Sequence, residues 1–398
     1  MDQSKPKASF LKLAGPGLVV AATGIGSGDV VSATVGGANY GVMLLWAIAT
    51  GKTAVEGWAE YLPAWVKWYF GIYLVIWTVS VSASLTNATG LGMANLTNNA
   101  LPQSWGAVVH SLIGGVLIFF GGYNNFEKLM KLLVGIMGFS ILFCAIFTMH
   151  QPALALQGLL VPTIPAGSGT YVLSLIGGVG GSITMLSYNY WMREEGMRGS
   201  GFLSFVRGDI AIAYLFTAIF GGSIMLIAND AFFTAGITLT NRDAVPRMAE
   251  ALGAVLGTFG KIAFSVGFWA AVFASLLGVW QSVPYLYADL YGIVTKMTPA
   301  ERAEAVKVTS RPYRLALLFI TLVPLPFAFT GQPIQVVITY TIVSSLFVPF
   351  VALTMLYLNN RVKWSEPVPH NSWVTNLLLI GILVLFAVVG YQEVAARL

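Results

Sequence analysis

An otherwise apolar run over residues 13–38 is interrupted near its centre by Gly24-Ile25-Gly26-Ser27-Gly28-Asp29. Glycine gives up about 1 kcal/mol of helix propensity relative to alanine, and a carboxylate at bilayer depth costs about 3 kcal/mol even on the mildest scales. Both penalties fall on the same six residues. Unwound backbone at membrane depth is tolerated only where it is buried in protein or lines a cavity, so this stretch is expected to form half of a binding site.

The rest of the chain explains why bilayer depth is the right frame. Its 398 residues are 57% hydrophobic and 9% charged, with a mean hydropathy of +0.77, whereas soluble domains carry roughly 25% charged residues. The apolar runs are long and continuous rather than alternating in stretches of about ten, which favours an all-α polytopic membrane protein over a barrel. The net charge of +5 is therefore assigned to loop Lys and Arg, and no nucleic-acid partner is expected. Cys144 is the sole cysteine, which excludes a disulfide framework and a thiolate metal cluster. Lys5, Lys7 and Lys12 before the first run resemble a signal peptide, but the run continues through the break without a cleavage site and is expected to stay in the protein.

Further spans are expected over 68–87, 106–122, 129–149, 172–191, 210–228, 251–277, 313–329, 336–358 and 377–390, which with the first makes ten. The apolar stretch 42–50 is too short to cross, because Lys52, Glu56, Glu60 and Pro63 follow at once. Lys128 and Lys131, then Arg193, Arg198 and Arg207, then Lys296, Arg302, Lys307, Arg311 and Arg314, then Arg361 and Lys363 mark every second connection, which places those loops on the cytoplasmic side. Arg242 and Arg247 are exceptions. With a cytoplasmic N-terminus, one crossing is missing between Gly41 and Trp65.

A second break repeats the logic of the first. Gly177-Gly178-Val179-Gly180-Gly181-Ser182 precedes Met185-Leu186-Ser187-Tyr188-Asn189-Tyr190-Trp191, with Arg193, Glu194 and Glu195 next. Two broken spans about five helices apart point to inverted repeats holding a substrate at the midplane, where half-helix ends offer carbonyls to a cation and N–H groups to an anion. Glycines in membrane helices also serve close packing alone, and Glu194 and Glu195 beside Arg193 also fit a solvated or paired end. The run Ser80, Ser82, Ser84, Thr86, Asn87, together with Asn95, either lines a pathway or bridges helices. Met185 offers packing or a thioether, which prefers metals softer than calcium or magnesium. His110, His150 and His370 are far apart, and no HExxH, GxSxG or Walker pattern occurs. Enzymatic and ATP-driven chemistry are thus not expected, and no cofactor is called for.

Gly15-Pro16-Gly17-Leu18, Gly36-Gly37-Ala38, Tyr40-Gly41, Leu44-Leu45-Trp46, Phe126-Glu127-Lys128-Leu129 and Leu346-Phe347-Val348-Pro349-Phe350 together resemble the NRAMP family of proton-coupled divalent metal transporters. The resemblance implies the amino-acid/sodium symporter-like fold, with two inverted five-helix repeats whose first and sixth helices are discontinuous. It divides a single transmembrane domain, 1–398, into a first repeat over 13–149, a second over 171–358 and an extra C-terminal helix over 377–390. The site motifs depart from the family. Its Asp-Pro-Gly-Asn falls on Gly26-Ser27-Gly28-Asp29, so Gly26 replaces the acid and Asp29 the asparagine. Its Met-Pro-His-Asn falls near Met185 to Asn189, with Tyr188 in place of the histidine, and the tenth helix's glutamine becomes Phe347. About 20 residues of the second helix are absent after Thr50 by the same comparison.

Three functions follow as expectations. The first is a proton-coupled secondary transporter of manganese, iron or magnesium in a bacterial plasma membrane. Asp29 would bind the metal with the carbonyls of Gly26 and Ile183 or Thr184 and with Asn189 or Met185, and Asp29 or Glu194 would move protons. The second keeps the architecture but carries a small polar or anionic solute on Ser27, Ser187 and Tyr188. The third is a non-transporting sensor, scaffold or relic, motivated by the missing helix.

Overall fold

The computed structural model describes residues 19, 23, 54–148, 183–197, 202–233, 244–331, 333–361 and 370–395, and its elements are all helical. In chain order they are α1 (Ala54–Tyr61), α2 (Trp65–Leu96) and α3 (Gln103–Thr148), then a 3-10 turn (Ile183–Ser187) running into α4 (Tyr188–Glu194). Next come α5 (Leu203–Ala228), which closes in a π turn, α6 (Ala244–Val294) and α7 (Pro299–Ala305). The described chain ends with α8 (Arg311–Leu322), a 3-10 turn (Leu325–Phe329), α9 (Pro333–Ser345), α10 (Phe347–Arg361) and α11 (Trp373–Ala395). Six of the described helical stretches are long and apolar enough to cross a membrane. The protein is a multi-pass integral membrane protein.

At 46 residues, α3 would be roughly 70 Å long if straight, about twice the hydrocarbon thickness. It is not straight. Gly122 has φ 63° and ψ 166°, a region open essentially to glycine alone, and the helix doubles back there. The partners on α6 prove the reversal. His110 in the first half accepts a 3.0 Å hydrogen bond from Trp269, while Ser140 in the second half lies against Gly267. Residues thirty apart thus meet adjacent turns of one neighbour. The expected spans 106–122 and 129–149 are the two arms of this hairpin. In the same way α6 breaks at Gly257, φ 68° and ψ −166°, and its long second arm crosses the bundle.

The other expected spans that fall on described residues differ mainly at their ends, whereas nearly all of 13–38 and residues 172–182 of the span over 172–191 lie outside them. The one over 251–277 continues to Val294, because Pro284 lies inside the helix instead of ending it. In that turn Pro284 supplies no N–H, and the Tyr313 hydroxyl donates to the Gln281 carbonyl at 2.7 Å. The one over 336–358 is split between Ser345 and Phe347. With eight residues, α1 reaches roughly 12 Å and cannot cross. The expected missing crossing lies between Gly41 and Trp65, and residues 41–53 of that stretch lie outside the described residues.

Contacts define two ends of the bundle. Arg193 in the last turn of α4 and Arg302 on α7 both pair with Glu56 on α1, and Lys131 pairs with Glu127 at 2.6 Å just past the α3 reversal. These basic connections therefore share one end. At the other end Gln103 donates to Asn87 at 2.8 Å, Asn87 donates to the Phe327 carbonyl at 3.2 Å, and Trp105 meets Phe329 edge-on. Between them α9 runs antiparallel to α2, with the Tyr73 hydroxyl on the Val343 carbonyl at 2.8 Å and the Trp77 indole on Ser344 at 2.9 Å. Of the polar run on α2, Asn87 and Asn95 bridge helices, Asn95 by a 2.7 Å bond to Ser265. Ser84 and Thr86 keep buried hydroxyls without a partner. Phe347 is fully buried among Trp58, Phe70, Tyr73 and Phe350, where it stacks on Tyr73 at 5.1 Å.

Candidate functional site

Exposed aromatic side chains locate the bilayer. Trp65, Trp68, Tyr291, Tyr357 and Trp373 lie exposed towards the basic end, and Trp105 at the other, as amphipathic rings do at the two lipid–water interfaces. On α6, Ser265 to Tyr291 rises roughly 40 Å at 1.5 Å per residue, the thickness of a bilayer with its headgroup zones. Gly278 is therefore near the midplane.

Two things meet α6 at this depth. Thr23, whose hydroxyl donates to the Val19 carbonyl at 2.6 Å, packs so closely on Gly278 that a Cβ there would collide with it. One turn further along α6, the Trp191 indole donates to Gln281. The residue just before the first glycine-rich stretch and the helix just after the second thus share consecutive turns of α6. Gly26, Ser27 and Asp29 lie outside the described residues.

The sequence Ile183-Thr184-Met185-Leu186-Ser187 explains why α4 starts late. Three of its residues are β-branched or hydroxylated, with weak helix propensity, and the chain forms a tighter 3-10 turn whose hydrogen bonds are poorly aligned. Ile183 and Ser187 are fully buried. Thr184 and Met185 contribute their backbone to the turn, while their side chains lie outside what is described. Next to it Asn189, 5% exposed, has no partner for either its amide nitrogen or its amide oxygen, and the Ser187 hydroxyl has none. An unsatisfied buried polar group costs about 1–3 kcal/mol, so three in two residues mark a place where a ligand or water is accommodated.

Every neighbour of Asn189 in α4 is by contrast tied. Tyr188 donates to Asp209 on α5 at 2.8 Å, and Tyr190 to Asp289 on α6 at 2.6 Å. Gln281 donates to the Tyr285 hydroxyl at 2.9 Å, which donates to Glu194 at 2.7 Å. Tyr190 and Tyr285 stack with ring centres 5.2 Å apart. The α6 partners Gln281, Tyr285 and Asp289 recur every four residues, one stripe continuing from Gly278.

Of the expected site residues, the structure brings Ile183, Ser187, Tyr188 and Asn189 together. It places Glu194 at the far end of α4, held by Tyr285. Beside it Glu195 is exposed but close to Glu127, and partial desolvation first, then the Glu127 charge, push its carboxyl above the usual range. Among the described residues no three His, Cys, Asp or Glu converge as a metal cluster. Sequence reasoning missed Asp209, Gln281, Tyr285 and Asp289. A signal existed, since an ionisable residue within a membrane span is a functional candidate by default.

A family model described as Nramp, Natural resistance-associated macrophage protein-like, matches residues 47–395. The match includes the Phe126–Leu129 and Leu346–Phe350 motifs and begins after those in residues 15–46. Among curated proteins the chain is 26% identical over 298 residues to the divalent metal cation transporter MntH of Klebsiella pneumoniae (strain 342), covering 67% of this chain and 71% of that protein. It is 24% identical over 311 residues to MntH of Staphylococcus aureus (strain MRSA252), covering 68% and 67%. Among solved structures it resembles a manganese transporter mutant of Eremococcus coleocola, with TM-score 0.65 and 15% identity over 100% of this chain and 90% of that one. It resembles MhsT in complex with L-phenylalanine almost equally, with TM-score 0.64 and 15% identity over 98% and 99%. These likenesses give the fold, the all-helical bundle that the Eremococcus coleocola and MhsT structures share. By the family match the chain belongs to the Nramp, Natural resistance-associated macrophage protein-like, family.

Proposed function

We propose that the protein is a secondary-active transporter of a divalent metal ion such as manganese across a bacterial plasma membrane, with proton coupling through Asp29 or Glu194. The observation that carries this is Asn189, a buried amide at the end of a 3-10 turn with its oxygen unused. Carboxylate, amide and carbonyl oxygens suit hard divalent cations. Asp29, with the carbonyls of Gly26 and of Ile183 or Thr184, would complete the donor set, and Met185 would add a softer ligand. The curated relatives are named as divalent metal cation transporters. In proteoliposomes, Asp29→Ala and Asn189→Ala are each expected to lower manganese uptake at least tenfold, with the fold intact by size exclusion. Uptake at the unsubstituted rate in both variants eliminates this site.

One observation favours a second reading. Asn189 also has an unused amide donor, which suits an oxygen of a small polar or anionic solute. Under that reading organic acids or amino acids raise the melting temperature of the purified protein and manganese does not. Stabilisation by manganese alone removes it.

A further inference from the structure

We propose that Asp289, acting through Tyr190, and Asp209, acting through Tyr188, are positioning residues that set the rotation of α4 and so aim the Asn189 amide into the transport site. This rests on the assignment of Asn189 to that site. Seven residues are too few for α4 to hold its own helical geometry in isolation. Its orientation must come from outside. Residues 188 and 190 are about 200° apart around a helix, so their hydroxyls point to nearly opposite sides, one to α5 and one to α6. Asn189 falls about 100° from each, on the side that neither tether occupies. Tyr188 holds the α5 side, while Tyr190 holds the α6 side next to Asn189, closer to it than the Glu194 bond to Tyr285.

The partners on both sides are themselves buried. Asp209 is 5% and Asp289 1% exposed. Tyr190 is sandwiched against Tyr285, and Tyr285 packs edge-on against Tyr313, whose hydroxyl is bound to the α6 backbone. An amide lies roughly 5 Å from the helix axis, so a turn of about 20° displaces it by roughly 2 Å. Binding geometries tolerate only about 0.5 Å and 10–20°, and a 1 Å misplacement can cost about a hundredfold. A tether that never touches the substrate can therefore set its affinity.

The test uses the full chain in proteoliposomes and reads manganese uptake against concentration. Tyr190→Phe and Asp289→Ala are each expected to raise the half-saturating concentration about tenfold while the maximal rate stays within twofold. Asp289→Asn, which still offers an oxygen to Tyr190, is expected to remain within threefold of the unsubstituted protein. Unchanged half-saturation in Tyr190→Phe, or equal loss in Asp289→Asn and Asp289→Ala, overturns the proposal. If the unsubstituted protein takes up no manganese, the substrate assignment fails but the positioning role is still decided. In an Asn189→Cys, Cys144→Ser background, adding Tyr190→Phe should change the rate of modification by a small methanethiosulfonate at least threefold. An unchanged rate overturns it.

Discussion

Glu195 shows how one side chain reports on its surroundings. Its carboxyl is pushed above the ordinary range because partial desolvation at an otherwise exposed position and the nearby Glu127 both disfavour the charge. A group whose folded pKa is raised holds its proton more tightly in the native state. Stability is therefore greatest below the unfolded value, about 4.3 for a glutamate, and is lost as pH rises through the folded value. Glu195→Gln should melt higher than the unsubstituted protein at pH 7 and level with it at pH 4, as measured by thermal unfolding in detergent. An equal difference at both pH values would mean that the charge is not the cause. At the same scale Asn189 was legible in the sequence, since an amide beside a glycine-rich interruption stands out in an apolar span. Asp289 was not, because Pro284 looks like a helix end and the expected span stopped at Leu277, short of Gln281, Tyr285 and Asp289. In a membrane helix a proline is accommodated when neighbours support the loosened turn, and here Tyr313 donates to the Gln281 carbonyl within that turn.

Among the elements, the α3 hairpin depends on one dihedral pair. Gly122→Ala forces a Cβ into φ 63°, ψ 166°, at a cost of about 1–3 kcal/mol, although open space surrounds the position. Substituting Gly121, which also has open space but no positive φ, should cost much less. Denaturation midpoints of the two variants separate backbone strain from packing, and equal midpoints would refute the strain. The hairpin was half legible, because the apolar runs 106–122 and 129–149 gave both arms. That they join at a single non-helical glycine was hidden, since Tyr123 to Lys128 is polar enough to suggest a loop. The connection α7 is legible outright. Thr298 caps it by accepting from the Glu301 N–H, Glu301 accepts in return from the Thr298 N–H, and Pro299 opens the first turn.

For the whole molecule, the basic end is closed by a shared acid. Glu56 takes Arg193 from α4 and Arg302 from α7 at once, with all three side chains mostly buried. Glu56→Gln leaves both guanidinium groups without their charge partner and should raise solvent access there. Hydrogen exchange across α4 and α7 is the measure, with at least tenfold faster exchange expected and none at the opposite end. The loop-charge pattern foretold that these basic segments lie together, but not that an acid from the short α1 would gather them.

The stripe Gly278, Gln281, Tyr285, Asp289 carries a mechanical consequence. Because Thr23 rests on its first position and α4 hangs from the next three, α6 is the common rail on which Thr23 and α4 are registered. Any rearrangement that admits substrate from one side and releases it to the other has two routes. It can carry α6 bodily with α4, or it can unhook Trp191, Glu194 and Tyr190 rung by rung, and a slip of one rung moves Asn189 by a full helical turn, roughly 5.4 Å.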